Sequence, residues 1–355
     1  MRPNQISGQN ITYADRAGHI MMFYGGNTPV RPRGDRAYWA GVVRGDSSAT
    51  LWSSLHAFED IPKTVDPASG WIQNANDPPW WATFPAVVQA KDFPPYLATR
   101  TMALRPQQSA RLIDSDSSIT WDEFLRYKSS TRMLLADRVL DDLLPAARTS
   151  AQANIRAAAV ILEAWDRSAD SSSRGAVLFT EWWAEYGRQR SGQRPFALPW
   201  NDQAPRLTPD GLADTAVAVA ALGAAADSIR KRYGSADVPW GSVYRLKRDG
   251  LDFGASGADG QYGVFWVMGY SRKEPGGKFS ATGGTSWVAA IEFKTPLRAV
   301  SIIPYGNASR AGSPHRTDQL SLFARNQLKP VWRTRAEIEK HLEKREYLHP
   351  GPKNQ

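Results

Sequence analysis

The sequence predicts an α+β fold in which strands and helices occupy separate stretches of the chain. Apolar residues cluster around a turn near the N-terminus, recur at helical spacing between Thr120 and Tyr233, and return to strand-like runs after Gly234.

In chain order, residues 11–24 read as a hairpin: the turn Ala14-Asp15-Arg16-Ala17-Gly18 is followed by the apolar run Ile20-Met21-Met22-Phe23-Tyr24. Residues 25–110 are rich in Pro, Gly and Trp with few helical periods, which predicts a long irregular region wrapping a site. Helices begin at Thr120, an N-cap with Glu123 as its capping-box partner. Trp121, Phe124 and Leu125, then Met133, Leu134, Val139, Leu140, Leu143 and Leu144, keep helical spacing up to Pro145, which is expected to end or kink the segment. Further helices are expected at 150–166, 175–190 and 209–232, the last opened by Thr208 and Pro209 in N-cap and first-turn positions. Strands at 243–246, 264–270, 287–293 and 299–303 follow, then short helices at 317–326 and 334–346, with no internal repeat. The chain thus reads as a strand and loop region (1–110), a helical region (111–235), and strands with C-terminal helices (236–355).

At 355 residues, 42% hydrophobic and 22% charged, the chain can bury a substantial core. No run approaches the roughly 18 apolar residues of a membrane span, and the start MRPNQISGQN lacks the apolar core of a secretory signal, so the chain as written is expected to stay in the cytoplasm. The absence of cysteine excludes disulfides, thiolate metal sites and a cysteine nucleophile. The net charge of +9 is spread along the chain with a small cluster at Arg230, Lys231 and Arg232, which argues for a solvated surface and against nucleic-acid binding. Of the fourteen tryptophans, some in the pairs Trp80-Trp81 and Trp182-Trp183, most are expected in the core; Trp80 and Trp81 could wall a site, with core packing at least as favoured.

There is no zinc-protease helix, nucleophile elbow, phosphate loop or dinucleotide fingerprint. Ser228-Ile229-Arg230-Lys231 has a Ser-x-x-Lys spacing, but it sits at the charged end of an alanine-rich helix. The histidines, His19, His56, His315, His341 and His349, are scattered. No self-contained active site emerges.

The segment Asp66-Pro67-Ala68-Ser69-Gly70-Trp71-Ile72-Gln73-Asn74-Ala75-Asn76-Asp77-Pro78-Pro79-Trp80 resembles the signature of the penicillin acylase family of N-terminal-nucleophile hydrolases. Further blocks resemble it in order: Tyr13 to Ile20, Trp165-Asp166 with Gly175-Ala176-Val177-Leu178-Phe179, and Trp240-Gly241-Ser242-Val243-Tyr244-Arg245-Leu246. Tyr305-Gly306-Asn307-Ala308-Ser309 and Ser313 to Leu320 resemble the branch that deacylates lipidated peptides and acyl-homoserine lactones. The resemblance implies an incomplete αββα fold with a large helical insertion, and hydrolysis of the amide bond of a small acylated molecule such as a β-lactam, an acyl-homoserine lactone or a lipopeptide. It also implies a periplasmic or secreted location and no organic cofactor, and leaves a structural calcium open. In this family a serine exposed by self-cleavage attacks, with its own α-amine as base. The hairpin around Asp15 lies well downstream of that serine, so the nucleophile, its neighbouring segment and the small subunit are expected to be missing partners.

Amide cleavage puts negative charge on the former carbonyl oxygen, and a side-chain amide can donate to it without titrating. The resemblance assigns that role to Asn76; the alternative is a turn before proline, a reading that also suits Asn74 and Asp77. It assigns an arginine packed near that asparagine to Arg105, with a surface role as the alternative and Arg111 as the runner-up. Two readings from other classes stand beside this one: a non-catalytic remnant that binds acylated ligands, and a Trp-rich carbohydrate-binding protein.

Overall fold

The computed structural model describes residues 8–347; the polar start at 1–7 and His349 lie outside the described residues. The expected hairpin forms, with β1 (Asn10–Ala14) antiparallel to β2 (Ile20–Tyr24), and β3 (Lys63–Val65) adds to the far edge of β2. Met22 and Phe23 are its buried residues. Between β2 and residue 103 the chain is mostly irregular, with one short helix, α1 (Arg36–Ala40), capped by Asp35.

Helix α2 (Leu104–Asp114) falls where few helical periods were visible, because the face it buries is polar: Gln107, Gln108 and Ser109 are buried with Leu104, Pro106 and Ala110. Gln107 Nε2 donates to the carbonyls of Met102 (2.9 Å) and Thr208 (2.8 Å), which satisfies a polar group that the core would otherwise leave unpaired. Pro106 lies in the first turn, where a missing N–H costs nothing.

Helix α3 (Trp121–Lys128) starts with the Thr120–Glu123 capping box. Helix α4 (Leu134–Arg148) does not end at Pro145; burial of Leu143 and Ala147 on either side keeps its last turn against the core. Helices α5 (Ala153–Ala164) and α6 (Ala176–Gln189) fall within their expected spans. The helix expected from residue 209 begins later. Gly211, at φ +68°, breaks a helical path, and residues 210–212 form β5 (Asp210–Leu212), paired with β4 (Phe196–Leu198). Asp214 then caps α7 (Thr215–Tyr233), accepting from Val217 N at 3.0 Å. Thr208 instead bonds within its own loop, accepting from Asn201 N at 2.8 Å.

The core lies where α4 to α7 meet the following strands. Its largest fully buried side chains include Trp182, Trp240 and Trp266. The small face of α7 lets α5 approach: a Cβ added at Gly223 would stand 3.0 Å from Ile155. After α8 (Trp240–Val243), β6 (Tyr244–Arg248) pairs with β7 (Leu251–Gly254). The expected strand at 264–270 shrinks to β8 (Met268–Gly269), since Trp266 N bonds Ser130 O and Met268 N bonds Ala258 O outside any long ladder. Short strands β9 (Arg272–Lys273), β10 (Phe279–Ser280) and β11 (Gly283–Gly284) extend these sheets. Strands β12 (Val288–Glu292) and β13 (Arg298–Ile302) form the expected antiparallel pair, with β14 (Lys329–Pro330) at its edge. Helices α9 (Leu320–Ala324) and α10 (Arg335–Lys340) are shorter than expected. Among the described residues no helix is long and apolar enough to cross a membrane.

Candidate active site

Strand β3 delivers the chain to Asp66, whose Oδ1 accepts from Ile20 N and whose Oδ2 pairs with His19 Nδ1, both at 2.8 Å. The segment that follows is thereby tied to the hairpin. A second tie runs from Asn10 Nδ2 on β1 to Asn74 Oδ1 at 3.1 Å.

Residues 73–77 then fold into a turn held by their own side chains. Asn74 Oδ1 accepts from Asn76 N at 3.1 Å, and Asp77 Oδ1 accepts from Ala75 N at 2.7 Å. Asn76 itself adopts φ +66°, a left-handed conformation that asparagine tolerates better than most residues, and its side chain is exposed. Asp77, by contrast, is only 4% exposed. Its Oδ2 accepts from Gln73 Nε2 at 2.8 Å, and that amide also donates to Trp81 O at 2.7 Å. Burial pushes the Asp77 carboxyl up to about 6, against the bonds from Ala75 N and Gln73 and the charge of Arg105, which favour its ionised form.

Arg105, at the start of α2, reaches back across this turn. Its Nη2 donates to Ala75 O at 2.6 Å and to Asn76 Oδ1. The absence of a side chain at Gly260 makes room for it, since a Cβ there would lie 3.1 Å from Arg105 Cδ. Burial lowers its pKa while Asp77 and Asp259 raise it, and a guanidinium stays protonated throughout. The peptides on either side of Ala75 are thus both held, the N–H by Asp77 and the carbonyl by Arg105.

An arginine only donates, so the amide oxygen of Asn76 must face Arg105 and its NH2 must face away. Among the described residues that NH2 has no protein partner. The arrangement presents one oriented, uncharged NH2 donor at an exposed point, a group chemically able to bond an oxyanion.

The other sequence candidates lie elsewhere. Arg111 donates to Asp137 Oδ2 at 2.8 Å, where Arg132 and Arg167 also converge. Ser228 Oγ donates to Glu181 at 3.2 Å. His19 and His315 pair with Asp66 and Asp318, and His56 with Tyr96. Trp80 sits in a small apolar cluster with Val88 and Ala98, its Nε1 bonded to Thr99 O at 2.8 Å, while Trp81 Nε1 bonds Arg100 O at 2.7 Å. Among the described residues no group of three or more His, Asp or Glu side chains is placed to hold a metal ion.

Sequence reasoning treated Asp77 only as a turn residue and gave Gln73 no part. The signal for Asp77 was the Asn-x-Asn-Asp-Pro turn; nothing in the sequence marks Gln73 as its donor. Beside the turn runs an apolar groove of about 530 Å³, lined by Tyr13, Met21, Ile72, Leu112 and Phe124 together with Gln73 and Asn74.

Comparison with known proteins agrees with the resemblance. The sequence profile of the penicillin amidase family matches residues 1–340. The acyl-homoserine lactone acylase PvdQ of Pseudomonas putida is 30% identical over 293 residues, which cover 78% of this chain and 36% of the relative. The aculeacin-A acylase of Actinoplanes utahensis is 26% identical over 311 residues, covering 78% of this chain and 38% of the relative. A thermostable penicillin G acylase from Alcaligenes faecalis superposes with a TM-score of 0.57 at 20% identity, covering 97% of this chain and 68% of that one, so the fold is shared. The chain spans well under half the length of these curated relatives. By the extent of the profile match, this chain belongs to the penicillin amidase family.

Proposed function

We propose that residues 1–355 are the C-terminal part of the catalytic chain of an amide hydrolase, an acylase acting on a small N-acylated molecule. Asn76 supplies an oxyanion donor and Arg105 orients it. The serine nucleophile, its supporting strands and the small subunit come from sequence beyond this chain, which completes an αββα fold carrying a large helical insertion. The single observation that carries this reading is the bond from Arg105 Nη2 to Asn76 Oδ1, because it leaves the Asn76 NH2 group free and pointed outward. The names of the relatives support an acyl-homoserine lactone or an aculeacin-type molecule as substrate, and a periplasmic or secreted site of action is the expectation from the family resemblance.

Without a nucleophile, an oxyanion donor accelerates hydrolysis only weakly, so residues 1–355 alone should be silent on chromogenic acyl amides. Joined with a nucleophile-bearing segment, as by co-expression with the sequence encoded upstream, the complex should turn over acyl-homoserine lactones. In that complex Asn76→Ala should lower kcat by roughly 10²–10³ with little change in KM. Full kcat in that variant would remove Asn76 from the site, and multiple turnovers by the purified chain alone would overturn the division of the catalytic machinery.

A further inference from the structure

Most arginines of this protein are paired; Arg111, Arg132 and Arg167 all reach the single carboxylate of Asp137. A cluster beside α1 departs from this. A cavity of about 840 Å³ beside α1 is lined by Arg36, Lys91 and Arg100, and among the described residues none of these three side chains makes a hydrogen bond or ion pair. The carboxylate in the lining belongs to Asp35, and its Oδ1 is occupied in capping α1, accepting from Tyr38 N at 2.9 Å. The cavity therefore keeps a net positive charge.

A fourth cation strengthens that field. Arg31 lies among Trp39, Trp52 and Tyr96, its guanidinium carbon 5.0, 5.6 and 5.8 Å from their ring centres, and its Nε and Nη1 are buried with no acceptor. Repulsion from Arg36 adds to the burial that disfavours its charge. Three lining cations against the one carboxylate of Asp35 leave a positive field that favours an incoming anion.

Apart from Thr99, the rest of the lining is apolar. Trp80, Phe93 and Ala98 belong to the small cluster built around Val88, and the rings of Trp80 and Phe93 lie 5.7 Å apart. Trp80 has already committed its N–H to Thr99 O, so it offers carbon and no donor. A bare phosphate or acetate would leave this surface uncovered, and a neutral hydrocarbon would leave the cations unanswered.

We infer that this cavity binds an amphiphilic organic anion, its carboxylate received by Arg36, Lys91 and Arg100 and its apolar chain laid against Trp80 and Phe93. The site uses neither Asn76 nor Arg105 and needs no amide hydrolysis. Titration calorimetry on the full chain with decanoate, acetate and 1-decanol tests it. Decanoate should bind saturably at one site, weakening as salt rises, while acetate and decanol bind at least about tenfold more weakly. Arg36→Gln and Arg100→Gln, both exposed and unpaired, should each lower decanoate affinity by about tenfold, since each removes charge-assisted bonds. Lys329→Gln, in the C-terminal sheet, should change nothing. Absence of saturable binding, equal affinity for decanol, or equal loss in the Lys329 variant each overturns the site.

Discussion

Helices α4 to α7 bury Leu140, Leu143, Trp182 and Leu222 completely, whereas residues 66–82, which carry Asn76, contain only a single 3-10 turn, Pro79–Trp81. The helices are held by apolar contact, which has no direction and accepts small adjustments. The turn is held by directional bonds from Asn74, Asp77, Gln73 and Arg105, so it fixes the orientation of one amide. Most of the packing stability and the fixed geometry thus reside in different parts of this chain. Substitutions in the helices should change only how much protein is folded; substitutions in the turn should also change what the folded protein presents.

The largest expected effect belongs to the helices. Trp182→Ala removes a fully buried ring and its bond to Ala218 O (2.9 Å), and should cost about 3–5 kcal/mol in denaturant unfolding. A cost under about 1 kcal/mol would break the distinction, since the bundle would then not depend on its own packing.

Asp77 comes next and gives the turn a pH signature. Its folded pKa of about 6 lies above the ordinary 3.8, so the folded protein holds this proton more tightly than the unfolded chain does. The sign follows: the contribution is most favourable below about pH 4, declines as pH rises to about 6, and is level above. The total decline is about 3 kcal/mol, from about two pKa units at 1.36 kcal/mol each. Asp77→Asn places an NH2 against Gln73 Nε2 and should destabilise at high and low pH alike. Its unfolding free energy should nevertheless lack the decline between pH 4 and 6. Parallel pH profiles for the two proteins would show that Asp77 is not the group responsible.

Arg105 sharpens the comparison on the side of geometry. In the completed enzyme Arg105→Ala should lower kcat by roughly 10–100-fold, the scale of losing hydrogen bonds from a charged donor. Arg105→Lys should be nearly as damaging, because a single ammonium does not replace a planar fork that bonds Ala75 O and Asn76 Oδ1 together. A lysine variant with full activity would mean that charge alone suffices.

The smallest effect is local. Thr120→Ala deletes the cap of α3 and should cost about 1 kcal/mol, read as a shift in unfolding midpoint with the turn unaffected.

The sequence by itself determined the features that depend on neighbours in the chain. The Thr120–Glu123 box, the hairpin of β1 and β2, and helices α5 and α6 follow from caps, turns and apolar periods, all settled within a few residues. Asn76 and Arg105 were nominated through the family resemblance to the motif, and nothing in their local pattern demands that they meet. Tertiary structure decided the rest. Helix α2 buries Gln107 and Gln108, which apolar periodicity cannot detect, and Gln107 is tolerable there because Met102 and Thr208 supply acceptors for its amide. The start of α7 was decided by the pairing of residues 210–212 with β4. The bond from Arg105 to Asn76 spans 29 residues, and the raised pKa of Asp77 exists only once burial has removed water from its carboxylate. Each of these depends on groups distant in sequence becoming close in space, and on the desolvation that accompanies it.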